Sequence, residues 1–126
     1  MNYNELINDV FELERKLFMK MDSYHLIKQK CNNKCLNIYE RKQLNFDVNY
    51  VFTRLIRIIK NSCSSLTDED VTFCCLKKAG LENKIVSHCI GGISLQSVNQ
   101  RKYRIKNKMK DAKCGYLFDV IFTPVE

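Results

Sequence analysis

Residues Leu66 to Met109 read LTDEDVTFCCLKKAGLENKIVSHCIGGISLQSVNQRKYRIKNKM, and this stretch decides the fold. Thr67 precedes an acid-rich turn, and Asp70 follows three residues later, where the acid of a capping box belongs. Asp68, Glu69 and Asp70 also lie at the positive end of the helix dipole. The pattern predicts a helix carrying Val71, Phe73, Cys74 and Leu76 that stops at Ala79–Gly80. A second, short helix is predicted from Asn83 to Ile90, ending at Gly91–Gly92. Ser94 then caps a third, from Leu95 to about Met109.

Working outward, residues 4–30 read as one long helix with Asn4 as its N-cap. Ile7, Val10, Phe11, Leu17, Phe18, Met21 and Tyr24 recur at three- and four-residue steps. A short helix is expected at 35–43. Asp47 then caps a helix to about Lys60, with Val48, Val51, Phe52, Leu55, Ile56 and Ile59 as its apolar face. Downstream, Tyr116 to Phe122 is a last apolar helix, closed by Pro124. The chain of 126 residues holds only 4 Gly and 1 Pro, too few turn formers for an all-β fold. An all-α fold is expected: a helical scaffold or dimerisation segment at 1–62, then a helical domain at 66–122.

Composition narrows the function. The start, Met1-Asn2-Tyr3-Asn4-Glu5, is not a basic region followed by an apolar one, so no signal peptide and a cytoplasmic setting are expected. The longest uncharged stretch, Ile85–Gln100, carries too many polar residues to span a membrane. The 7 Cys are odd in number and do not suggest a disulfide framework. Cys31 and Cys35 lie near His25, with Cys63 the other nearby thiol, but they lack the second matched pair of a zinc site. Cys74 and Cys89 read as small core residues. No phosphate-cradling glycine loop or nucleophile elbow occurs. No catalytic residue, metal or cofactor is expected, and the chain is not read as an enzyme.

The net charge is +7, and it is concentrated. From Leu95 to Lys113 there are seven basic residues (Arg101, Lys102, Arg104, Lys106, Lys108, Lys110, Lys113) against Asp111, which is 7 − 1 = +6. Such a local field suits a polyanion. At 100° per residue, Val98, Ile105 and Met109 share the core face of this helix, with Lys102 at the edge of the stripe, snorkelling to water. Opposite them lie Gln96, Gln100, Tyr103 and Asn107. Arg101, Arg104 and Lys108 take one flank, Asn99 and Lys106 the other. A solvated basic face is the plain reading of such a helix alone. Here the order of helix, short helix, glycine turn and basic helix is that of a helix-turn-helix. In that setting the amides suit adenine edges, and the cations suit phosphates.

The residues also resemble the LuxR/FixJ type of DNA-binding domain over about 66–122. That family opens Leu-Thr-x-x-Glu, and here Leu66-Thr67-Asp68-Glu69-Asp70 puts Asp70 at the Glu position. Gly80, Leu81 and Lys84 match its Gly-Leu-Ser-x-Lys-Glu-Ile-Ala run, with Val86 for Ile and Ser87 for Ala. Gly92-Ile93-Ser94-Leu95-Gln96-Ser97-Val98 follows its turn and recognition helix, and Tyr103 to Met109 follows its closing run. Departures are the additional Gly91, Ile85 in place of Glu, and the shorter Asp70. The resemblance implies a four-helix helix-turn-helix domain and a role in transcription regulation. It also implies dimer contacts on the last helix, Tyr116–Phe122.

The expected function is therefore sequence-specific duplex DNA binding as a homodimer, with helix 95–109 in the major groove. Gln96, Asn99, Gln100 and Tyr103 are the expected base-facing residues. Lys84, Arg101, Arg104, Lys106 and Lys108 are the expected phosphate contacts. The controlling input would come from a separate sensor or regulator protein, or from elsewhere in a longer chain. The alternative is a protein-interaction module that keeps the fold and binds through its N-terminal helices. A membrane-surface role fits less well, since the Gln and Asn ridge lacks an apolar insertion face.

Overall fold

The computed structural model describes residues 3–123. Among them are eight α-helices and no strand: α1 (Tyr3–Phe18), α2 (Asp22–Lys30), α3 (Ile38–Val51), α4 (Thr53–Ser62), α5 (Asp68–Lys78), α6 (Asn83–Cys89), α7 (Leu95–Asp111) and α8 (Gly115–Phe122). The all-α expectation stands. The stop expected at Pro124 lies outside the described residues.

The second half follows its local signals closely. Thr67 and Asp70 form the capping box of α5, each backbone N–H donating to the other's side chain at 3.1 Å. Beyond α5, Gly80 adopts φ +85°, and the N–H groups of Gly80 and Leu81 close back on Lys77 and Leu76. That is the Schellman stop, and glycine enters its left-handed position without a Cβ penalty. At the end of α6, Gly91 and Gly92 both have positive φ, and Gly92 N–H donates to the Ser87 carbonyl at 2.8 Å. Gly91 therefore belongs to the helix stop itself.

The first half departs from expectation in three places. The long helix 4–30 is two helices, broken at residues 19–21, with Met21 extended at ψ 152°. Ile27 explains the break. It lies nine residues after Phe18, about half a turn round a continuous helix, yet both side chains are fully buried. Only a change of direction puts both inside. Asn4, expected as a cap, is inside α1. The helices expected at 35–43 and 47–60 become α3 and α4, joined across the single buried residue Phe52. Asn37 caps α3 in a capping box with Glu40. Asp47 is no cap: it is buried within α3, accepting hydrogen bonds from Ser23 and from Gln43.

The start of α4 is capped from a distance. Glu14, buried on α1, accepts from the backbone N–H groups of Arg54 (3.1 Å) and Leu55 (3.0 Å), and from the Thr53 hydroxyl (3.4 Å). This carboxylate satisfies donors that every helix start leaves open.

One continuous core runs through both halves. α1 packs on α3, α4 and α8; α4 packs on α5; α5 packs on α6 and α8; α7 packs on α6 and α8. Lys78 on α5 is buried at this junction and donates to Asn8 of α1 and to the Val120 carbonyl of α8, each at 3.1 Å. Residues 3–62 thus supply the other half of the wall around α5 and α8.

Candidate nucleic-acid interface

Helix α7 is held by one face and presents the other. The Ser94 hydroxyl caps its start, accepting from Ser97 N–H at 3.0 Å. Val98, Ile105 and Met109 are buried as the helical step requires. The stems of Lys102 and Lys106 lie along α8, with their amines 5.6 Å from the ring centres of Phe122 and Phe118. Those two rings stack at 4.4 Å. Leu117 and Ile121 of α8 are buried in the chain's own core, so the apolar side of α8 is largely used within the chain.

On the outer side, Gln96, Asn99, Gln100, Tyr103 and Asn107 are exposed, Tyr103 at 65%. Gln96, Gln100, Tyr103 and Arg104 line one shallow depression. Asn99 is partly engaged, accepting from the Asn83 amide at 3.4 Å. This contact ties α7 to the start of α6, where Lys84 is also exposed.

The expected phosphate contacts divide into two groups. Lys84 and Arg104 are exposed and make no ion pair among the described residues; Lys106 is exposed with its stem on Phe118. Arg101 and Lys108 have other work. Arg101 donates to Glu69 at 2.7 Å and to Asp70 at 2.9 Å, with only 15% of its side chain exposed. Lys108 donates to the Ser65 carbonyl at 3.3 Å and lies 3.6 Å from Asp70. Both cations clamp α7 onto the start of α5, so they are withdrawn from the phosphate set. The physical reason is Asp70: a buried carboxylate needs paired charge, and α7 passes beside it.

Burial works against the charged form of Asp70, but hydrogen bonds with Thr67 and the nearby Arg101 and Lys108 outweigh it. The carboxyl is held below its ordinary range.

No family model, curated protein or solved structure matches this chain. Among the described residues, no three His, Cys, Asp or Glu side chains gather as metal ligands, and no helix is long and apolar enough to cross a membrane.

Sequence reading missed Glu14 and Lys78, which have no local signal. It also missed the way residues 31–37 brace the turn before α7. There the Leu36 N–H donates to the His88 carbonyl at 3.2 Å, and His88 Nδ1 lies 2.5 Å from the Cys31 carbonyl oxygen.

Proposed function

We propose that the chain binds duplex DNA as a LuxR-like helix-turn-helix regulator, with α7 in the major groove and α6 beside the backbone. In this reading it works as a homodimer and takes its input from a separate sensor protein. One observation carries the reading: the outer ridge of α7 is exposed amide and phenol with Arg104 beside it, following directly on a two-glycine turn. Gln96, Gln100 and Tyr103 are the base readers, with Asn99 shared between a base edge and Asn83. Lys84, Arg104 and Lys106 hold phosphates. Of the cations on α7, the acids at the start of α5 engage Arg101 and Lys108, while Asp68 pairs with Lys60 of α4, leaving most of the positive charge of α7 for a polyanion.

The test is fluorescence anisotropy with random-sequence duplex from about 50 to 200 mM salt. Wild type should bind with a steep negative salt slope. Lys84→Ala/Arg104→Ala should lower that slope by about two units, one for each phosphate no longer neutralised. Absence of binding at about 50 mM salt, where non-specific affinity is greatest, overturns the proposal.

A second reading, the protein-interaction module, draws on α1. Leu6, Leu13 and Leu17 are each at least half exposed, and Tyr50 of α3 lines a groove with the latter two. A partner bound there through apolar contact would respond little to salt.

A further inference from the structure

Two buried cysteines touch, and a third lies close by, where residues 31–37 brace the turn before α7. Cys31, at the end of α2, and Cys89, at the end of α6, are both buried, with their sulfurs 3.8 Å apart. Cys35 is exposed. Its sulfur fills the space beside Gly92: a Cβ built on Gly92 would come within 2.7 Å of it. We propose that this cluster is a thiol-oxidation site that takes a small hydroperoxide and ends as a Cys31–Cys89 disulfide, with Cys35 as the point of entry.

Geometry divides the labour. Burial pushes the Cys31 and Cys89 thiols up, so neither is a good first nucleophile in its resting state. Cys35 meets solvent and reacts first: its sulfur attacks one peroxide oxygen, the O–O bond breaks, the departing oxygen takes the Cys35 proton and leaves as water (from hydrogen peroxide) or as an alcohol (from an organic hydroperoxide), and Cys35 becomes a sulfenic acid. The Cys89 sulfur then attacks the Cys35 sulfur; its proton leaves with the hydroxyl as a second water, forming a Cys35–Cys89 disulfide. Cys31, already beside Cys89, attacks the Cys89 sulfur. Cys35 departs as thiolate, takes the proton lost by Cys31 and is regenerated as a thiol. In sum, two thiols and one hydrogen peroxide give one disulfide and two waters; an organic hydroperoxide gives its alcohol in place of one water. The final bond needs the sulfurs to close from 3.8 Å to about 2.05 Å. The product would fasten the end of α2 to the end of α6, next to Gly91–Gly92.

The test is hydrogen peroxide treatment of the whole chain, followed by alkylation of remaining thiols and peptide mapping with and without reductant. The expected product is a reductant-sensitive peptide pair joining Cys31 to Cys89, two hydrogens lighter than the reduced pair, with Cys35 still alkylated. Cys35→Ser, a surface change, should slow formation of that pair by about tenfold or more. Retention of the wild-type rate in this variant overturns the entry role. Cys31 and Cys89 persisting as thiols while Cys35 passes to sulfinic acid overturns the site itself, as does a disulfide between two chains through Cys35.

Discussion

Asp70 holds several contacts with one side chain. It closes the capping box with Thr67, meets the Arg101 guanidinium, and lies near the Lys108 amine. Its carboxyl is held below its ordinary range. A depressed carboxyl adds stability at pH values above its unfolded-state pKa, and that stability is lost as the pH falls through the folded-state value. Asp70→Asn should therefore lower stability by about 1–3 kcal/mol near neutral pH. The gap from wild type should shrink as the pH falls below the ordinary carboxyl range and through the folded-state value, in urea melts run at neutral and at acid pH. The same residue shows why the site was only partly legible. Periodicity placed Arg101 and Lys108 on a flank of α7 but carried no information on which element lies beside that flank. Gln96, Gln100 and Tyr103 were legible because exposure on the far side of Val98, Ile105 and Met109 follows from one helix alone.

Among the elements, α5 to α7 were readable because each start or stop is written nearby: Thr67, Gly80, Gly91, Ser94. The pair Asn37 and Glu40 carries the same kind of signal for α3, one that the expected 35–43 helix does not use. The break after α1 was not readable, since no Gly or Pro marks it; it follows from burying both Phe18 and Ile27. Nor was the start of α4, whose cap comes from Glu14 of α1. Glu14→Ala should cost about 1–3 kcal/mol, read as a lower urea midpoint with the slope unchanged, because it leaves open N–H groups of which at least that of Leu55 is buried. Glu14→Gln keeps one carbonyl acceptor and should lose less.

At the scale of the whole molecule, the two segments read from sequence share one core, and Lys78 ties α5 to both α1 and α8. A chain of this size with one core should unfold in a single step. Urea curves followed by far-UV circular dichroism and by tyrosine fluorescence should coincide; separated midpoints would mean two independent units. The cap that α1 lends to α4 also sets an order in time. As the chain is made, α1 emerges before α4, carrying a carboxylate whose three partners, Thr53, Arg54 and Leu55, emerge only later. The first turn of α4 is thus left incomplete at birth. It closes when α1 swings home, so the local order of that turn records whether the two ends of the scaffold have met.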